Sequence, residues 1–295
     1  MFAILGEVTS RYRTRPQVKF ARFRELEQRR ADASNTIWAI IVGSKMAAST
    51  LRLTEGSTRT LSEIFPSIDH VARFDMRSDK ARELIGDADT EMSTMGMAHA
   101  IALHEDFVKT CLAMLIPIGK FSRSKLRNTR AANAHEYFAE ATGHEFDVDA
   151  LALFHLTRLI RNCHIHAGGQ VDRALVGAYE TLTAEQRTLW ESLTGEELVV
   201  PRAGALARVG IGGLVATLAV GKRLSYDINL GLQAAITRQG WADIAAEEYF
   251  ALGSKSPGDQ TALRSLKGYL RGGFMALELN DDELQAAIDR LRDAV

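Results

Sequence analysis

The chain has 295 residues, of which 46% are hydrophobic and 25% charged, a composition that excludes a disordered or fibrous protein. Its formal net charge of -1 offers no general attraction for nucleic acid, so any RNA contact has to come from a local cluster. Five prolines in the whole chain and few strand-like alternations predict an all-α fold, a helical bundle.

At the start, the apolar run of MFAILGEVTSRYR is too short for a secretory leader, and the positive charge follows it instead of preceding it. A soluble cytoplasmic protein is expected. Residues 10–30 hold Arg11, Arg13, Arg15, Lys19, Arg22, Arg24, Arg29 and Arg30 against Glu25 and Glu27. From Pro16 onward they predict a charged helix with a solvated face and i, i+4 pairs such as Glu25 with Arg29; a basic arm for phosphates is the alternative. Asn35 is placed to cap a second helix running to Leu51, with Ile37, Ile41, Ser44, Ala48 and Leu51 on one face, and Glu55-Gly-Ser breaks it. Shorter helical stretches follow at 67–74 and 78–85.

A long apolar helix is predicted from Thr90 to Ile116, ended by Pro117, which lacks an N–H and clashes with the preceding turn. Its seam reads Ala98, Ile101, Glu105, Val108, Leu112 and Leu115. A buried carboxylate needs a partner, and Arg158 or Arg161 are the candidates for Glu105; the alternative puts Glu105 at the seam margin, reaching water. His99 and His104 are read as surface or satisfied core histidines. Lys120, Arg123, Lys125, Arg127 and Arg130 then form a basic segment. Folded back beside a cleft it would supply RNA backbone contacts independent of base sequence; otherwise it is a solvated linker.

The densest chemistry lies in DVDALALFHLTRLIRNCHIHAGG, residues 147–169. Asp147 or Asp149 caps a helix from about Val148 to Ala167, and Gly168 and Gly169 end it. Ala152, Leu153, Leu156, Leu159, Ile160, Cys163 and Ala167 build an apolar stripe, while His155, Arg158, Asn162 and His166 stack along a second face with Arg161 beside them. At about 100° per residue, Arg161 and His166 project about 140° apart, whereas Asn162 and His166 share a face. One copy therefore does not present Arg and His side by side, and two helix ends joined by a two-fold axis would. Cys111 and Cys163 lack CxxC spacing and read as reduced, buried thiols. His164, His166 and Cys163 are close in sequence, but residues i and i+2 on a helix do not converge, so neither a metal site nor a cofactor is expected.

An Arg, a polar residue, three further residues and a His at the end of an apolar helix, followed by a small residue and Gly, resembles the signature of the HEPN superfamily. The preceding segment, with Tyr137, Phe138 and then Thr-Gly-His, is similar in order to what precedes that motif. The resemblance covers roughly residues 95–172 and implies a helical domain that dimerises through its motif helix. It implies also a metal-independent ribonuclease of the toxin, antiphage or RNA-processing kind. Arg161 and His166 match the paired Arg and His, and Asn162 the frequent polar residue after the Arg. Glu105, Arg158 and His164 are possible supporting residues, and an antitoxin or other regulatory protein is a possible partner. Some members only bind nucleotides, RNA or proteins, which is the alternative reading.

After Gly169, Thr183 and Gln186 form a capping box for a helix carrying Trp190, and 197–200 reads as extended. Val209 to Val220 is apolar but too short to span a hydrocarbon layer of about 30 Å as a helix. The GxGG at 210–213 lacks the Lys-Ser/Thr of a phosphate loop and is assigned to close helix packing. Helices are expected from Trp241 to Leu252, then to about Arg271, then from Asn280, where Glu283 completes a second capping box. Arg264, Lys267 and Arg271 on the middle one invite a helix-turn-helix reading, with an ordinary helical hairpin as the alternative. Two units are expected, 1–172 carrying the motif and 173–295 as a C-terminal helical portion.

Overall fold

The computed structural model describes residues 16–293 apart from 167, 208 and 254, so Arg11, Arg13, Arg15 and Ala167 lie outside the described residues. Those described form α1 (Ala21–Leu51), α2 (Leu61–Ile64), α3 (Ser78–Gly86), α4 (Ala88–Met114), α5 (Arg123–Arg127), α6 (Ala134–Thr142), α7 (Val148–His166), α8 (Arg173–Glu180), α9 (Ala184–Thr194), α10 (Ile211–Ala235), α11 (Arg238–Ala251), α12 (Ala262–Leu270) and α13 (Asp281–Asp293). The fold is all-α, and among the described residues no strand forms; residues 197–200, expected to be extended, join no ladder. No helix among them is long and apolar enough to cross a membrane.

The two helices expected before residue 51 are one. Between Arg30 and Asn35 the chain has neither Pro nor Gly, so the hydrogen-bond ladder continues and Asn35 sits inside α1 instead of capping a new helix. Its start is anchored by distant groups: the Ala21 N–H donates to the Glu248 carboxylate at 2.6 Å, which also receives Arg24 and the Tyr269 hydroxyl. Buried Asn229 accepts from the Val18 N–H and donates to the Val18 carbonyl, holding the lead-in strand of chain against α10. The stretch expected to be helical over 67–74 is only a 3-10 turn, Val71–Phe74, because His70 adopts a left-handed φ of 63° and interrupts the ladder.

Four long helices carry the architecture. Lys45 pairs with Asp89 and Arg29 with Asp106, so α1 runs antiparallel to α4. Leu214 meets Gly96 and Ser225 meets His104, so α10 runs parallel to α4. Asp227 accepts from the Asp147 N–H at one end and Gly169 pairs with Ala207 at the other, so α7 runs antiparallel to α10.

The buried side of α4 reads Met97, Ile101, His104, Val108, Cys111, Leu112 and Leu115. Of the expected seam, Ile101, Val108, Leu112 and Leu115 are buried, and the inward face is turned from that seam by about 40°. His104 therefore points inward, and Glu105 pairs with Lys109 at 2.6 Å on the partly exposed flank, not with Arg158 or Arg161. Both cysteines are free and buried.

The expected boundary near residue 172 does not divide the packing. One core joins Phe20, Phe23, Leu112 and Phe138 to Ile228, Trp241 and Ile288. The other joins Met97, Leu153 and Ile160 to Leu175, Trp190 and Val220. The helix α10 contributes to both.

Candidate functional site

The motif helix α7 starts at Asp147, whose carboxylate accepts from the N–H groups of Asp149 and Ala150 at 3.0 Å each. Its buried side is Ala150, Leu153, Phe154, Leu156, Thr157, Ile160 and Cys163, so Ala152 and Leu159, expected in the stripe, are only half-buried. At its end Gly168 and Gly169 have φ of 59° and 81°, a region that strains any residue with a Cβ. The Gly169 N–H returns to the Cys163 carbonyl at 2.9 Å. Residues 204–207 then strap this end through backbone bonds between Val171 and Ala205, Gly204 and Val171, and Ala207 and Gly169.

On that end Arg161 is half-buried and donates through Nη1 to the Asn162 side-chain oxygen at 3.1 Å, while its buried Nε has no protein partner. His166 is exposed, one turn beyond Asn162 on the same face. The imidazole of His164 turns instead toward Gly169, where Nδ1 lies 3.6 Å from the position a Cβ would take; its Nε2 is buried without a protein partner. Asn162 thus holds the guanidinium and shares a face with the exposed His166. Arg161 and His166 do not converge within one chain.

The other candidates are placed elsewhere. Arg158 donates from Nε to Nδ1 of His155 at 3.4 Å, and burial, then the Arg158 charge, push His155 down to about 4, so it is neutral at pH 7. Lys120, Arg123, Lys125, Arg127 and Arg130 are all exposed, and Lys125 is tied to Glu140 at 2.8 Å. From the crossing of α4 and α7 at His104 and Phe154, Lys120 lies past Leu115 one way and His166 at the end of α7 the other, whereas from Arg130 the chain is back at the crossing, where His135 meets His104. At 1.5 Å per residue Lys120 and His166 are about 30 Å apart along the bundle, and Arg130 lies nearer its middle. In the C-terminal hairpin Lys267 is paired with Asp281, and Asp281, Asp282 and Glu283 open α13 beside it. Among the described residues no group of three or more His, Cys, Asp or Glu is arranged to hold a metal ion.

One polar cluster escaped the sequence reading. His104 and His135 meet Nε2 to Nε2 at 2.9 Å, each 2% exposed, between the two cores. The Ser225 hydroxyl donates to the Gly221 carbonyl at 2.6 Å, leaving its oxygen to accept from His104 Nδ1 at 3.3 Å. His104 Nε2 is then the acceptor and His135 Nε2 the donor, which leaves the orphan at His135 Nδ1 as a lone pair and not an N–H. His104 was legible as a core histidine from its place between Ile101 and Val108; His135, at the start of the short α6, had no such register.

The chain matches no known family model, and neither a curated protein nor a solved structure shows similarity to it.

Proposed function

We propose that this protein is a metal-independent endoribonuclease whose site is the exposed end of α7, completed when two copies bring their motif-helix ends together. The observation that carries the reading is the Arg161, Asn162 and His166 set, in which Asn162 binds the guanidinium and shares a face with a solvent-exposed imidazole. Cleavage without a metal needs a base for the ribose 2'-hydroxyl, a cation for the charged phosphorane and an acid for the leaving oxygen. A histidine serves as base or acid near neutrality, and an arginine stays charged with a planar fork that fits phosphate oxygens. In the step, His166 takes the 2'-hydroxyl proton, the O2'–P bond forms and the P–O5' bond breaks. The 5'-oxygen is protonated by the second copy's imidazole while Arg161 holds the phosphate. The products are a 2',3'-cyclic phosphate and a 5'-hydroxyl. Such an activity suits a toxin or antiphage system in the cytoplasm, restrained by an antitoxin or other regulatory partner.

The test is incubation of the purified chain with end-labelled structured and unstructured RNAs in excess EDTA, followed by analysis of the product ends. Cyclic phosphate ends support the reading; a requirement for divalent metal overturns it. A second reading, a dimeric module that binds RNA, a nucleotide or a protein without cutting, is favoured by one observation: Arg161 and His166 project about 140° apart within a chain. RNA binding without cleavage selects that reading.

A further inference from the structure

We propose that the gap between α1 and α10 at Arg30 and Gly221 is a binding site for a small oxyanion of the phosphate type, distinct from the end of α7. The way the two helices pack over α4 locates it. Phe23 meets Tyr226 with ring centroids 5.9 Å apart, and Ile37 and Leu214 converge on Gly96, where a Cβ would stand 2.8 and 3.1 Å from them. Phe23, Arg30 and Ile37 are spaced by seven residues and so share a face of α1, two turns apart. Gly221 follows Leu214 by the same seven on α10. Because α1 and α10 run in opposite directions, one such step from the contact of Ile37 with Leu214 sets Arg30 opposite Gly221, over His104. The His104 ring marks the level: it lies in the field of the Arg30 charge and meets Ser225, whose hydroxyl donates back to the Gly221 carbonyl.

Two features of this layer have no internal explanation. Gly221 is buried, yet among the described residues nothing lies within 4 Å of where its Cβ would stand, so the Arg30 side chain does not fill the space left there. Arg30 is partly buried, and its guanidinium makes no hydrogen bond or ion pair among the described residues. Burial holds the guanidinium below its ordinary pKa, and the charge of nearby Glu27 offsets this only in part. A desolvated charge is ordinarily neutralised by a partner, and the Glu27 carboxylate lies 3.8 Å from Lys19 instead. Lys222, next to Gly221, is a second cation without an ion pair among the described residues; its Nζ stands 5.7 Å from the centre of the Tyr226 ring.

Charge and size set the ligand. Arg30 and Lys222 against Glu27 leave the gap positive, and His104 is neutral. A planar guanidinium fork beside a compact ammonium suits the oxygens of a phosphate group. The opening is that of one side chain omitted between packed helices, which admits a free ion or the end of a phosphate monoester and not a polymer backbone. Phe154 packs on His104 at 5.0 Å, and His166 lies twelve residues further along α7, roughly 18 Å away. The site is therefore separate from the motif end and does not rest on the ribonuclease reading.

The experiment is calorimetric titration of the full chain with inorganic phosphate, and separately with adenosine 5'-monophosphate, at constant ionic strength, alongside Arg30→Met, Lys222→Met and Gly221→Ala. Wild type should bind one anion per chain, and Arg30→Met and Lys222→Met should each weaken binding about ten-fold or more. Gly221→Ala should weaken it several-fold while thermal stability stays equal or rises, because the space is open and Ala favours a helix over Gly. That variant keeps the test decisive if Arg30→Met does not fold. Binding of inorganic phosphate that these variants weaken identifies a free ion as the ligand; binding of the monoester alone, weakened in the same way, identifies its phosphate end. Binding of neither ligand, or an affinity unchanged in both Lys222→Met and Gly221→Ala, overturns the proposal.

Discussion

His104 and His135 show how a single residue's surroundings become a property of the whole chain. Burial, then the Arg30 charge, hold His104 down to about 3, and burial, then His104 and His155, hold His135 well below its ordinary value. The folded chain keeps both rings neutral where the unfolded chain, with pKa near 6.5, takes up protons, so stability is full above about pH 6.5 and is lost as pH falls below it. Between pH 7 and pH 5 each ring should cost about 2 kcal/mol, and the pair should lower Tm by roughly 8 °C. A Tm that stays level over that range, measured by circular dichroism, would contradict the neutral buried pair. His104, left open as a surface or a core histidine, is buried, and Glu105 takes the second of its two expected places, at the seam margin. Apolar spacing defines a stripe and leaves its rotation uncertain by about 40°, and here that decides which of two polar neighbours goes inside.

At the scale of elements, the termini written by capping chemistry were readable. Thr183 with Gln186 and Asn280 with Glu283 form the boxes expected of them, as does the Asp147 cap on α7. Where a boundary depends on something absent it was missed, as in α1, which continues because nothing stops it. Glycine pattern pointed to close packing at the 210–213 GxGG, where Gly212 and Gly213 meet the Glu196 and Val209 side chains, and gave no sign of the helix crossing at Gly231. A Cβ on Gly231 of α10 would stand 2.6 Å from Phe138 Cε1 and 3.0 Å from the His144 Cβ, so α6 and α10 approach only because this residue is glycine. Gly231→Ala should destabilise the fold by about 1–3 kcal/mol in urea unfolding, since Phe138 is fully buried and has no room to yield. A stability at or above wild type would show that the crossing relaxes freely.

Across the whole molecule, the antiparallel course of α4 and α7 sends Lys120, where the basic segment starts, to one pole and the motif end to the other. No local pattern carries that information, because it depends on which helices pack together and in which direction. A dinucleotide, with its single scissile phosphate, cannot bridge poles about 30 Å apart. Neutralising Lys120 and Arg123 together should therefore leave cleavage of such a short RNA within about two-fold, while weakening a salt-sensitive contact to long RNA. A large loss with the short substrate would mean that the segment reaches the site. The motif helix itself, its cap, its glycine end and the order of Arg161, Asn162 and His166 were legible; the proposed convergence on a phosphate depends on a second copy, which no pattern within one chain displays. The most direct measurement compares wild type with His166→Ala on end-labelled RNA in excess EDTA. The account predicts cleavage by wild type to cyclic phosphate ends and a loss of about 100-fold or more in the variant, in keeping with removal of a general acid or base. Full cleavage by His166→Ala, or none by wild type until a divalent metal is added, would contradict it.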